Sequence, residues 1–148
     1  MAKVLVIDDE PSIATLVAEI IEGYGHQVYT AFNGLQGLDS IKQTRFDLIV
    51  SDIMMPHVTG HELLQFVRSH AGLAATPFVL MSAVSHLSRL DTDYEPDAFL
   101  VKPFDITRID EVVQAFLPVP SDDESFKKTI HLSLPFKQNY GNSFLARE

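Results

Sequence analysis

Three carboxylates and a lysine in this chain each stand at or just after the end of a short apolar run. Asp8 and Asp9 follow the first such run, Asp52 ends another, and Lys102 follows a later one. Acids that lie close together repel one another, so they coexist only with a bound cation nearby or with raised pKa values. These residues therefore predict a charged functional site rather than an ordinary solvated surface.

The elements that would position this site alternate along the chain. Continuous apolar runs, some of them rich in β-branched residues, predict buried strands, and apolar residues at helical spacing between them predict helices. The predicted strands cover 4–7, 27–31, 48–52, 77–81 and 97–101. The predicted helices run from 11 to about 23, from 35 to about 41, then over 61–70, 86–93 (weakly) and 106–116. This alternation predicts a parallel α/β sheet covered by helices on both faces.

In such a sheet, ligands bind beyond the carboxyl ends of the strands. Several carboxylate oxygens together suit Mg²⁺, which takes a few carboxylates and keeps water for its remaining positions. Lys102 can pair with a carboxylate or a phosphoryl oxygen, and Ser82, which follows the fourth strand, can donate to an incoming anion. Asp52 is therefore a candidate carboxylate nucleophile for phosphoryl transfer, which would give an aspartyl phosphate.

At these residues the chain resembles the receiver domain of two-component response regulators. The similarity covers roughly residues 2–117, in the order that the family has. It rests on the pieces Val4-Leu5-Val6-Ile7-Asp8-Asp9-Glu10, Asp47-Leu48-Ile49-Val50-Ser51-Asp52-Ile53-Met54-Met55-Pro56 with Gly60, Pro77–Met81 with Ser82-Ala83, and Phe99-Leu100-Val101-Lys102-Pro103-Phe104. The resemblance implies a flavodoxin-like (βα)₅ fold, a doubly wound parallel sheet of five strands.

The resemblance also assigns roles to single residues. Asp52 becomes the phosphoacceptor, and Mg²⁺ is held by Asp9, Asp52 and the backbone carbonyl of Met54, with Asp8 contributing directly or through water. Lys102 contacts the phosphoryl group and Ser82 moves to hydrogen-bond it. Phe99 stands at the aromatic switch position, where the ring turns inward as the hydroxyl moves. Many relatives have tyrosine there, so this chain lacks an outward phenolic hydrogen bond.

A change of composition near residue 118 predicts a boundary. We expect residues 1–118 to form the receiver domain and 119–148 to be a linker and tail without an independent fold, since about thirty residues are too few for a second domain. Three roles stay open for this tail: disorder, packing on the receiver, or self-association. The last would give a homodimer.

Composition limits the classes of partner. The 148 residues carry a formal net charge of −9, which argues against a nucleic-acid surface. The chain contains no cysteine, so thiol chemistry and zinc–thiolate sites are excluded. The start turns acidic too soon for a signal peptide, and no apolar run reaches membrane-spanning length. We therefore expect a cytoplasmic protein with no membrane association.

The expected function is that of a phosphorelay receiver, not of a metabolic enzyme. Its expected partners are a sensor histidine kinase or a phosphotransfer protein, and a downstream protein that the sequence does not identify. The alternative is a receiver fold that serves as a constitutive docking or dimerisation module, with little or no phosphorylation. A phosphohydrolase is disfavoured because Met54 stands where such an enzyme needs a second acid. His57 and His61 are expected to be a solvated loop pair rather than metal ligands.

Overall fold

The computed structural model describes residues 1–83, 94–103 and 106–118. Its strands are Lys3–Ile7 (β1), Gln27–Ala31 (β2), Leu48–Asp52 (β3), Phe78–Ser82 (β4) and Ala98–Val101 (β5). Its helices are Pro11–Glu22 (α1), Gly34–Gln43 (α2), Gly60–Ser69 (α3) and Ile106–Phe116 (α4). The five predicted strands are confirmed, with ends that differ by one residue at most. The predicted helix over 86–93 and the predicted tail over 119–148 lie outside the described residues.

The strands form one parallel sheet in the order β2-β1-β3-β4-β5. The chain moves outward from β1 in one direction to β2 and in the other direction through β3, β4 and β5, so the order reverses between β1 and β3. In a doubly wound sheet this reversal opens a crevice at the carboxyl ends of the two central strands. The flavodoxin-like fold is confirmed, and the crevice lies where Asp8, Asp9 and Asp52 follow or end their strands.

Each face of the sheet is covered by a separate apolar layer. Side chains of α1 and α4 pack over one face, where Val17, Ile21 and Ile109 are buried against strand residues such as Val6. Side chains of α3 pack over the other face, where Leu63 and Leu64 are buried. Because both faces are covered, the strands read as continuous apolar runs rather than alternating ones.

Three helices begin near the carboxyl edge of the sheet, and local sequence features fix where they start. Pro11 occupies the first turn of α1, where a missing N–H costs nothing. The Asn33 side chain accepts a hydrogen bond from the Gln36 backbone N–H at the start of α2, and Thr59 accepts from Glu62 in the same way for α3. These caps hold the loops that surround the crevice. Among the described helices, none is long and apolar enough to cross a bilayer.

Candidate functional site

The crevice brings together the three predicted carboxylates. Asp8 follows β1, Asp9 is the next residue, and Asp52 is the last residue of β3. Ligand oxygens of the three side chains all lie within 4.8 Å of one another. Asp8 and Asp52 are buried, whereas Asp9 is exposed. The site therefore has a fixed, dehydrated floor and one carboxylate that reaches solvent.

Lys102 provides the positive charge at this floor. Its Nζ lies 2.6 Å from an Asp8 carboxylate oxygen and 3.5 Å from an Asp52 oxygen. The other Asp8 oxygen accepts a hydrogen bond of 2.9 Å from the Glu10 backbone N–H. Both oxygens of Asp8 thus have protein partners already, while Asp52 shares the lysine at a longer distance. Because of this difference, Asp52 is the buried carboxylate whose oxygens are more available to a ligand.

The same arrangement shifts two pKa values. Burial raises the pKa of Asp52 to about 7, the negative charge of Asp8 adds to the rise, and the positive charge of Lys102 opposes it. Burial alone would lower the pKa of Lys102, but its hydrogen bond to Asp8 and the charge of Asp52 make the net shift upward. Lys102 therefore stays charged at neutral pH, and one lysine does not neutralise the carboxylate cluster.

This imbalance of charge fits a divalent cation. Oxygen ligands around octahedral Mg²⁺ lie about 3–4 Å apart, close to the spacing of these carboxylates. Asp9 and Asp52 could ligate such an ion directly, while both Asp8 oxygens already accept hydrogen bonds. Bound Mg²⁺ would favour the ionised form of Asp52 and reduce the repulsion among the three acids.

The remaining predicted residues lie on the neighbouring strands. Ser82 is buried at the end of β4, where its backbone carbonyl accepts a 2.7 Å hydrogen bond from the Lys102 N–H. Phe99 is buried in β5, where it is paired in register with Leu80. Met54 follows Asp52 by two residues, and its side chain is 68% exposed. The roles of Ser82, Phe99 and the Met54 carbonyl stay predictions.

The loop between β3 and α3 has a strained backbone. His57 has a φ of 69°, which a residue with a side chain rarely adopts. The Val58 N–H donates to the Pro56 carbonyl at 2.8 Å, which closes a three-residue γ-turn around His57. Strain of this kind persists only where the surrounding structure enforces it, and it clusters at functional sites.

Gly60 packs directly on the backbone of the phosphoacceptor candidate. A Cβ at this position would lie 2.3 Å from the Asp52 carbonyl oxygen and 2.9 Å from the Ile53 Cα. The Gly60 N–H also donates to the Ile53 carbonyl at 2.9 Å. Since both clashes involve backbone atoms, a larger residue would have to displace the loop that carries Asp52.

We therefore expect Gly60→Ala to lower the free energy of unfolding by about 1–3 kcal/mol, as overpacking does in a close-packed region. Gly72→Ala is the matched control, because a Cβ there would meet only the tip of the flexible Arg45 side chain. Urea unfolding followed by circular dichroism measures both variants. Equal stability of the two variants would contradict the close packing at Gly60.

A comparison of the whole sequence with protein families gives one clear match. The profile described as "Response regulator receiver domain" matches residues 4–114. The matched region contains the complete carboxylate cluster, Ser82, Phe99 and Lys102. The chain belongs to the response regulator receiver family. The resemblance noted from the sequence is confirmed.

Individual relatives agree with this assignment. Sporulation initiation phosphotransferase F of Bacillus subtilis is 33% identical over 122 residues, which cover 81% of this chain and 97% of that protein. The transcriptional regulator RpaA of Synechocystis is 32% identical over 119 residues, so this chain spans 49% of its length. The crystal structure of the response regulator TrrA of Thermotoga maritima, in complex with Mg²⁺ and BeF, superposes with a TM-score of 0.70 at 32% identity. That match covers 79% of this receiver chain and all of TrrA.

Two features of the site were not predicted from the sequence. Glu10 donates its backbone N–H to Asp8, and the residue lines a cavity together with Lys102. His61 was expected in a solvated loop, but it is buried in the first turn of α3. That expectation was wrong because Gly60 begins the helix instead of interrupting it. Glu10 ends the first piece of sequence that carries the family resemblance, and this position beside Asp9 could have pointed to it.

Proposed function

We propose that this receiver accepts a phosphoryl group on Asp52 from a phosphohistidine of a sensor histidine kinase or phosphotransfer protein. The observation that carries the proposal is the position of Lys102, which reaches both buried carboxylates of a three-acid cluster. Two buried acids beside a third, exposed acid, with one lysine among them, are costly for stability without a ligand. This arrangement suits a centre that receives a cation and a phosphoryl group.

In the transfer, an ionised Asp52 oxygen forms a bond to phosphorus while the phosphorus–nitrogen bond of the phosphohistidine breaks. The imidazole nitrogen keeps the electron pair of that bond and takes up a proton. Lys102, already near Asp52, is placed to contact a phosphoryl oxygen, and buried Ser82 is the candidate for a second hydrogen bond. Asp9 and Asp52, with the Met54 carbonyl and Asp8, would hold Mg²⁺, which supplies further neutralisation of the phosphoryl charge.

The proposed role is signalling by changed protein contacts rather than metabolic turnover. Phe99, buried in β5, is the proposed switch residue whose position couples the phosphoryl group to the surface. The proposed setting is the cytoplasm, with a kinase or phosphotransfer protein upstream and a protein downstream. No nucleic-acid contact is proposed for this chain, because its formal net charge of −9 disfavours binding to phosphate groups.

The alternative, a constitutive docking module, is less favoured. A module that is never phosphorylated has no use for a buried acid cluster with a pKa near neutrality at Asp52. Similarity to sporulation initiation phosphotransferase F along nearly its full length also supports a phosphorelay role.

The test is phosphorylation by acetyl phosphate in Mg²⁺, followed by intact mass spectrometry. We expect the wild-type chain to gain one phosphoryl group that hydroxylamine removes, and Asp52→Asn to gain none. Chelation of Mg²⁺ is expected to abolish the labelling of the wild type. Asp39→Asn serves as the control, since this acid lies on α2 outside the site. Undiminished labelling of Asp52→Asn would refute the assignment.

A further inference from the structure

Exposed apolar side chains flank the carboxylate cluster on two sides. On the α1 side, half-buried Ile13 and exposed Leu16 line a cavity of about 360 Å³ together with Lys102. On the β2 side, Phe32 is 40% exposed and Leu35 is 52% exposed. Phe32 directly follows β2 and Leu35 lies in the first turn of α2, and we call these two residues the β2–α2 ridge. Nothing in the proposed chemistry at Asp52 uses this ridge.

The β2–α2 ridge is held rigidly. The Phe32 N–H donates to the Gln36 side chain at 2.9 Å, and the Gln36 N–H donates to the Asn33 side chain at 2.8 Å. Gly34 lies so close to the next loop that a Cβ there would sit 2.0 Å from the Val58 carbonyl oxygen. A surface fixed in this way loses little conformational entropy when a partner covers it.

The ridge is also uncharged in a strongly acidic protein. Residues 27–38 contain no lysine, arginine, aspartate or glutamate, although the chain has a net charge of −9. An uncharged apolar patch can be dehydrated at little cost, and interface centres are depleted of charged residues for this reason. The composition of the ridge is therefore that of a contact surface rather than of a solvated loop.

The register of the sheet places the ridge near Asp52. Ile7 of β1 pairs with Ala31 of β2 on one side and with Ser51 of β3 on the other. Adjacent strands lie about 4.8 Å apart, so the backbone after Ala31 is about 10 Å from that of Asp52. A standard interface buries about 800 Å² on each partner, which corresponds to a disc of about 16 Å radius. A protein that delivers a phosphoryl group to Asp52, itself buried in the crevice, would therefore also cover the ridge.

We propose that Phe32 and Leu35 dock the phosphodonor protein, through an apolar surface that lies beside its phosphorylated histidine. This inference rests on the proposed function, because it takes delivery of the phosphoryl group to Asp52 as the reason for contact. The donor is favoured over a second copy of the chain because the backbone at the ridge lies about 10 Å from that of Asp52, which the donor must reach.

The test compares two phosphodonors on the same variants. The protein donors are purified histidine kinase fragments from the genome that encodes the chain, autophosphorylated with radiolabelled ATP, and the fastest donor is used. The small-molecule donor is acetyl phosphate. For Phe32→Ser/Leu35→Ser we expect at least a tenfold lower kcat/KM with the kinase, mainly through KM, and unchanged labelling by acetyl phosphate. The apolar control Phe32→Leu/Leu35→Met is expected to retain kinase transfer.

The other outcomes distinguish failure of the docking inference from failure of the proposed function. Normal kinase transfer to the serine variant overturns the docking inference and leaves the proposed function intact. Sedimentation that shows a wild-type dimer, lost in a serine variant that still accepts phosphate normally, overturns the inference in favour of self-association. A wild type that neither donor labels refutes the proposed function itself. Unfolding midpoints of all variants confirm that each one folds.

Discussion

Lys102→Met is expected to lower the free energy of unfolding of the metal-free protein by about 3–5 kcal/mol at a pH near 8, the range found when one partner of a buried ion pair is removed. The Lys102 Nζ lies 2.6 Å from Asp8, whose side chain is fully buried, and 3.5 Å from Asp52. Methionine keeps most of the length of the side chain and removes its charge. The variant would thus leave two dehydrated carboxylates without a counter-charge.

This loss should depend on pH and on Mg²⁺. Because the pKa of Asp52 is raised to about 7, Asp52 is mostly protonated at a pH near 5.5, and Lys102 then faces one buried carboxylate rather than two. The destabilisation should therefore be smaller in acid than at a pH near 8. Mg²⁺ should also reduce it, because an ion that binds the folded state alone adds stability by mass action.

Lys42→Met is the matched control for the same chemical change. Lys42 lies on the exposed surface of α2, with its Nζ 5.7 Å from the centre of the Phe66 ring. Loss of an exposed cation–π contact costs no more than about 1 kcal/mol. Chemical denaturation measures the free energy of unfolding of both variants, with chelator and with Mg²⁺, at each of the two pH values. Equal losses for the two variants in chelator at a pH near 8 would show that Lys102 does not neutralise a buried cluster.

The site could be predicted from the sequence because strand ends are local features. An apolar run that stops at an acid marks the carboxyl edge, and the parallel fold brings all such edges to one side. The sequence could not show which acid Lys102 prefers. The contact with Asp8 spans 94 residues along the chain, and it depends on the register of strands that are not neighbours in sequence.

Other long-range contacts could not be predicted from the sequence for the same physical reason. Asp97 begins the strand predicted over 97–101, yet its carboxylate accepts from the Arg68 side chain at 2.6 Å and from the Phe78 N–H at 2.8 Å. These bonds join the end of α3 to the starts of β4 and β5. Hydrophobic periodicity locates elements, but polar side chains carry no periodic signal of their long-range partners. Tight packing at Gly60 was invisible for the same reason.

Mg²⁺ affinity is expected to fall by about tenfold for each pH unit below 7, because Asp52 must lose its proton before it can bind the ion. Above this range the carboxylate is already ionised and the affinity should level off. The stability of the metal-free protein should change with pH in the opposite direction to the Mg²⁺ affinity. Between pH values of about 4 and 7 the folded state holds one more proton on Asp52 than the unfolded state, so its stability falls as the pH rises.

Isothermal titration calorimetry in buffers of different ionisation enthalpy separates this proton release from binding. We expect close to one proton released per Mg²⁺ at a pH near 6 and almost none at a pH near 8.5, because Asp52 is mostly protonated at the first pH and ionised at the second. Asp52→Asn should bind Mg²⁺ more weakly, with an affinity that changes little with pH, since its amide has no proton to lose. A steep pH dependence that survives in this variant would place the coupled proton on another acid of the cluster. In that case the Asp52 carboxylate would already be ionised in the metal-free site. Burial would then not be what keeps this nucleophile protonated until the cation binds.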